Sequence, residues 1–217
     1  MTECRIHVPE KDETFGTAGP PVGNRDSRAI ETDQMRQEPR RSTLERLTRF
    51  RAGDGEAFAE LYRLHSPAVF RFVLYMTGDA GRADDVTQDV FVWLVRHPAA
   101  FHVDCGELAA WLAGVARKYL QRRQREERRW APLADAVMET PPRGEAAVEA
   151  AMLRSAIASL PARYRELVAL CDLEGFNYEE AAAALDCAPG TVRSRLHRAR
   201  AFLTKKLQTR MHVRCGI

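Results

Sequence analysis

From residue 42 onward apolar positions recur at helical spacing, and nowhere do they alternate with a strand's two-residue rhythm over a useful length. Phe58, Leu61, Tyr62 and His65 line one face. After an expected break at Pro67, a second run holds Val69, Phe70, Val73, Leu74 and Met76, closed by the turn Thr77-Gly78-Asp79. Val86, Val90, Trp93 and Leu94 stripe the next segment, which stops before Pro98. Leu108, Trp111, Leu112, Val115 and Ala116 open another, which runs into the charged tract RKYLQRRQREERR. Residues 131–146, APLADAVMETPPRGEA, carry prolines and a glycine and read as a linker. Two more helices follow, split at Pro161, and Gly175 suits the left-handed residue just past the second. The pattern predicts an all-α chain of two small helical modules joined by a flexible linker. Their expected bounds are 42–130 and 147–208, with a disordered extension over 1–41 and a loose tail over 209–217.

The most specific pattern is NYEEAAAALDCAPGTVRSRLHRARAFLTKKL, from Asn177 to Leu207. Asn177 is a good N-cap, with Glu179 and Glu180 in the first turn of a short helix. A tight turn at Cys187-Ala188-Pro189 follows, and Pro189 suits the first turn of a longer helix, where a missing N–H costs nothing. Val192, Leu196, Ala199 and Leu203 make one buried stripe along it. The other side carries Arg193, Ser194, His197, Arg198 and Arg200, with no acidic residue between Thr191 and Arg210. Basic helices are common as solvated surfaces. A basic helix behind a packing helix and a sharp turn, with short donors such as Thr191 and Ser194 among the arginines, suits the major groove of DNA better.

Charge and composition narrow the class. Net charge is only +3 over 217 residues, so the basic signal is local. No apolar run approaches a membrane span and no signal-peptide pattern opens the chain, which predicts a cytoplasmic protein without membrane insertion. The 5 cysteines are scattered and form no CxxC, as isolated thiols of a reducing compartment do. Cys4/His7 and His212/Cys215 each offer half a zinc site, so no metal or cofactor is expected.

A second constellation lies on ADDVTQDVFVWLV. Asp85 and Asp89 are one turn apart and share a face, with Asp84 and Gln88 beside them and Trp93 farther along. An acidic first turn is favourable at any helix start. It is also a docking surface for a basic partner, since paired carboxylates match arginine forks. Catalysis is the weakest reading: no nucleophile, base or phosphate loop stands at usable spacing, so no enzyme is expected and no catalytic residue is assigned.

With AFAELYRLHSPAVFRFV, DDVTQDVFVWLV and AAWLAGVARKYL ahead of the linker, and LPARYRELVALCDLEGFNYEEAAAALDCAPGTVRSRLHRARAFL behind it, the chain resembles a bacterial RNA polymerase sigma factor of the small extracytoplasmic-function (ECF) group. The likeness covers about residues 42–207. It implies that Asp84, Asp85, Gln88, Asp89 and the partly buried Trp93 dock on a coiled coil of the core polymerase clamp. It also implies that Phe101 and His102 in the loop 101–107, with Lys118, Tyr119, Arg122 and Arg123, serve the −10 promoter element, where extruding a base needs a stacking and polar pocket. Arg193, Ser194, His197 and Arg198 then read the −35 element, with Thr191, Arg195 and Arg200 on phosphates. An anti-sigma partner is expected on the same ground. Lys118 stands where the family usually has Asn, HVDCGEL replaces an aromatic-rich loop, and Ala188 replaces a capping Ser or Thr. The identity of the −10 base therefore stays open. Trp111 matches the family tryptophan and belongs to the core stripe. Two other readings leave more unexplained. A stand-alone helix-turn-helix regulator ignores the acidic helix, and a sigma mimic that binds only an anti-sigma factor would not keep an intact recognition face.

Overall fold

The computed structural model describes residues 42–102, 106–130 and 145–214, with side chains over 42–102, 106–126 and 151–208. The expected extension, most of the linker, the Cys4/His7 pair and Cys215 lie outside these residues. The described residues form helices and the turns between them, with no strand.

Helix α1 spans 42–51. Arg46 pairs with Glu60 at 2.7 Å and fastens α1 to α2 (Gly55–Thr77). Asp54 caps α2, its carboxylate accepting from the N–H groups of Glu56 and Ala57 at 2.9 and 3.2 Å. The expected break at Pro67 does not occur: α2 runs through it. Leu61 and His65 before the proline and Val69, Phe72 and Val73 after it are buried in the same core, and that packing outweighs the lost backbone bond. Gly78, at φ +71°, ends the helix in the left-handed region, and its N–H bonds to the Leu74 carbonyl at 2.8 Å. Asp79 then caps α3 (Ala80–Arg96). α4 (Leu108–Trp130) packs across both α2 and α3, burying Leu108, Trp111, Leu112 and Val115.

The second module contains α5 (Glu145–Ala158), α6 (Ala162–Leu167), a π-helical turn (Val168–Leu173), α7 (Tyr178–Leu185) and α8 (Pro189–Arg214). The split at Pro161 and the left-handed Gly175, at φ +74°, are as expected. The π turn is not a feature the sequence pattern announces. The Glu174 N–H reaches the Ala169 carbonyl five residues back, at 3.0 Å. A full capping box opens α7: the Asn177 side chain accepts from the Glu180 N–H at 2.8 Å, and the Glu180 carboxylate accepts from the Asn177 N–H at 2.9 Å. α7 ends on Asp186, a non-glycine residue at φ +53°. α8 continues to Arg214, past the expected end of the module.

The two modules are packed together. One continuous hydrophobic core runs from Phe72, Phe91 and Leu112 to Leu167, Leu170 and Leu196. α7 lies along α4, and α6 meets α2. Among the described residues, arginines cross the seam. Arg71 of α2 makes a two-pronged pair with Glu174 at 2.8 and 2.6 Å, Arg117 of α4 pairs with Glu166 of α6 at 2.9 Å, and Arg165 of α6 donates to the Met76 carbonyl of α2 at 3.0 Å.

Candidate functional site

Two helices carry the candidate surfaces, and both are built by the same rule. α8 buries Val192, Leu196 and Ala199 completely or nearly so, at 0–1% exposure. That stripe packs against α6 and α7 and turns the opposite side outward. Arg193, Ser194, His197 and Arg198 are all exposed on that side. The Ser194 hydroxyl donates to the Thr191 carbonyl at 3.1 Å, which leaves its oxygen able to accept. The Arg193 guanidinium lies 6.0 Å from the centre of the Tyr178 ring, a loose stacking contact that steadies the side chain without neutralising it. Arg200 differs: it makes a two-pronged pair with Asp172 on the π turn, at 2.5 and 3.3 Å. Thr191 and Arg195 are half-buried at the edge of this face, and the Thr191 N–H bonds the Ala188 carbonyl at 2.8 Å. The face is therefore a short cationic strip set on a rigid helix-turn-helix.

α3 is the acidic counterpart. Ala83, Val86, Val90 and Leu94 are fully buried, which turns Asp84, Asp85 and Gln88 to solvent. Asp89 is half-buried because Arg123 of α4 bonds it at 2.8 Å; the same guanidinium lies 3.8 Å from Asp85. Two residues expected to serve different ligands are thus in contact with each other. Trp93 is 8% exposed and packs on Trp111 at 5.6 Å and His97 at 4.8 Å between ring centres. It shapes the helix from beneath rather than projecting from it.

Sequence reasoning missed Val92 and Val95. They are 41% and 46% exposed on α3, four and seven residues beyond Gln88, and extend the acidic face with an apolar lip. Tyr62 adds to the same side of the module, 40% exposed with its ring 4.8 Å from Phe91. The signal was present in FVWLV, an unbroken apolar run too long for one stripe to bury.

The third group sits on and before α4. Phe101 is 2% exposed, edge-on to Trp111 at 5.5 Å, so it supports the loop from the core. Its neighbour His102 is exposed. Tyr119 is 9% exposed with the Arg122 guanidinium 5.3 Å from its ring centre, and burial pushes its hydroxyl pKa above the usual value. Lys118, Arg122 and Arg123 are half-buried around it. Among the described residues no cluster of His, Cys, Asp and Glu could hold a metal ion, and no helix is long and apolar enough to cross a membrane.

Comparison with known proteins matches two family models to the two modules: Sigma-70 region 2 over residues 61–130, and Sigma-70, region 4 over residues 150–203. The chain is 33% identical over 145 residues to the ECF RNA polymerase sigma factor EcfG of Rhodopseudomonas palustris, covering 65% of this chain and 80% of that one. It is 30% identical over 167 residues to the ECF RNA polymerase sigma factor SigL of Mycobacterium tuberculosis, covering 72% and 92%. Among solved structures, the sigma factor RpoE in complex with the anti-sigma factor NepR from Bartonella quintana superposes with a TM-score of 0.60 at 28% identity. That match covers 70% of this chain and 96% of that one. CnrH in complex with the cytosolic domain of CnrY superposes with a TM-score of 0.57 at 26% identity, covering 78% and 97%.

Proposed function

We propose, from the premise that this chain belongs to the ECF RNA polymerase sigma factors, a division of labour among its three surfaces. The chain binds core RNA polymerase and directs it to promoters. The acidic face of α3, Asp84, Asp85, Gln88 and Asp89, docks on a basic surface of the polymerase, with Val92 and Val95 supplying apolar contact beside it. Charge pairs of this kind steer association and are strengthened where the lip excludes water. Arg193, Ser194, His197 and Arg198 of α8 read base edges of the −35 element, and Thr191, Arg195 and Arg200 hold phosphates. Arg200 must share its guanidinium with Asp172 or leave it on binding. His102, Lys118, Arg122 and Arg123 line the −10 surface, with Tyr119 and Phe101 as its floor.

The observation that carries this reading is the side-chain arrangement of α8, which buries Val192, Leu196 and Ala199 while presenting four polar or cationic residues in a row to solvent. The chain supplies binding and positioning, with the chemistry of RNA synthesis left to the polymerase; it is not an enzyme and works in the cytoplasm. RpoE and CnrH are each solved with a bound partner, and we extend that to an anti-sigma factor for this chain.

The test is capture of purified core RNA polymerase by the wild-type protein and by Asp85→Lys/Asp89→Lys, followed by run-off transcription. Binding by the wild type alone is expected. Equal binding by both removes α3 as the docking face, and binding by neither, with helicity intact, removes the polymerase from the account.

A further inference from the structure

α1 ends on Arg51, which lies ahead of the segment that matches Sigma-70 region 2 and belongs to none of the three surfaces. Its neighbours Arg46 and Arg49 pair with the carboxylates of Glu60 and Asp54, each at 2.7 Å. Arg51 instead crosses to the connection between α3 and α4. Its Nε–H donates to the Pro98 carbonyl at 3.0 Å, and its Nη2 donates to the Phe101 carbonyl. One edge of one guanidinium thus grips two backbone oxygens three residues apart, through charge-assisted bonds that a neutral donor makes more weakly.

The grip is anchored at both ends. The corner that carries Arg51 is closed by backbone bonds from the Gly53 N–H to Phe50 at 2.9 Å and from the Asp54 N–H to Arg49 at 3.1 Å, and Leu47 seats α1 in the core. On the other side, the Ala100 N–H bonds the His97 carbonyl at 3.0 Å and folds 97–100 into a turn, while the Phe101 ring is buried edge-on against Trp111. The Phe101 carbonyl shares a peptide plane with the His102 nitrogen, so a bond to that oxygen sets the direction in which the chain leaves for His102. His102 itself is exposed, and its placement depends on that backbone. We infer that Arg51 is a positioning residue for the −10 contact, holding the segment 97–102 so that His102 meets the promoter strand in one orientation. This rests on the sigma-factor reading above and on the place it gives His102. Without Arg51 the Phe101 ring stays buried, but the Phe101–His102 peptide is free to turn. Apparent affinity for the −10 strand then falls with the fraction of molecules that keep the competent orientation.

Two variants test this. Arg51→Lys keeps the charge but cannot hold two oxygens in a fixed fork, and Arg51→Met loses both charge and fork. Each is assembled with purified core RNA polymerase and captured on a pool of fork-junction DNA randomised in the −35 duplex and the −10 non-template single strand. The bound DNA is then sequenced. Both variants should keep wild-type helicity, polymerase affinity and −35 preference, while preference at the −10 positions falls by roughly 3–10-fold. If Arg51→Met does not fold, Arg51→Gln takes its place. A contact that served stability alone would lower the melting midpoint and leave the −10 preference at the wild-type level, which overturns the inference. Arg51→Lys at the wild-type level beside a defective Arg51→Met assigns a charge contact with DNA and overturns positioning. Equal losses at −35 and −10 overturn it as well, since the effect is then not local to this segment. Wild-type holoenzyme that selects a −35 sequence but no −10 sequence overturns the place given to His102. Failure of the wild type to select either one overturns the sigma-factor reading instead.

Discussion

α3 and α8 are the same device with opposite charge. Each buries a stripe of small and branched apolar side chains and turns a polar face to solvent, and each face is set by which residues fall between the buried positions. They differ in how the charges are held. Among the described residues, the outward-facing arginines of α8 have neutral partners, Arg193 over the Tyr178 ring and Arg198 bonded to the Tyr164 hydroxyl, whereas Asp89 of α3 is held by Arg123 and Asp85 lies near the same guanidinium. A cationic face left open suits a polyanion, which supplies many acceptors along its length. An acidic face partly neutralised from within suits a single partner that can displace one arginine.

The harshest break of this symmetry is charge reversal on one side only. Asp85→Lys/Asp89→Lys should weaken core polymerase binding by at least about 100-fold, measured by titration against labelled polymerase. Duplex contacts made by α8 should be unaffected; a matching loss of DNA affinity would mean that the two faces are not separate. Next comes the buried stripe. Leu196→Ala, at a position 1% exposed, should cost about 2–5 kcal/mol in chemical denaturation and abolish the helix-turn-helix before it disturbs α3. A loss under 1 kcal/mol would show that α8 is not anchored as described.

His65 makes the first module sensitive to acid. It is 7% exposed, its Nε2 has no hydrogen-bond partner, and burial lowers its pKa to about 4. The folded state thus holds His65 neutral while the unfolded chain binds a proton below pH ~6.5. Stability from this group is complete above that pH and is lost as pH falls toward 4, by about 2 kcal/mol at pH 5. Melting curves at pH 7.5 and pH 5 should show the difference, and His65→Leu should remove most of it. An equal pH effect in that variant assigns the loss to other groups.

Smaller effects test individual contacts. Arg198→Ala should cost about 1–3 kcal/mol of promoter discrimination at one −35 base pair, with polymerase affinity unchanged. An unaltered base preference in a competition assay removes Arg198 from the reading set. Asn177→Ala removes half of the capping box and should lower stability by about 1 kcal/mol. A thermal shift indistinguishable from zero would mean that packing alone holds the start of α7.

Most of the helices were legible because each depends on neighbours in the chain. The stripe Val192-Leu196-Ala199, the Asn177 cap, the Pro161 split and the left-handed Gly175 are all set within a few residues. Pro67 misled because its local penalty is real, yet it is offset by burial of residues on both sides. The apolar lip of Val92 and Val95 was hidden inside FVWLV, where periodicity does not tell which members stay outside. The π turn was invisible for a related reason: Leu167 to Cys171 is apolar at every position, so the phase shift of about 100° that one extra residue makes leaves no mark on the pattern.

The sequence by itself determined the helical class, the order of the two modules, the acidic and basic faces and the family resemblance, because these follow from spacing, capping and charge read along the chain. Only the tertiary structure decided that Arg123 reaches Asp89, that Arg71 and Arg117 find Glu174 and Glu166, and that α7 closes on α4. Those pairs join residues 34 to 103 positions apart. Any of the chain's many arginines has the same chemistry at that range, and the choice among them belongs to the packing of the whole core.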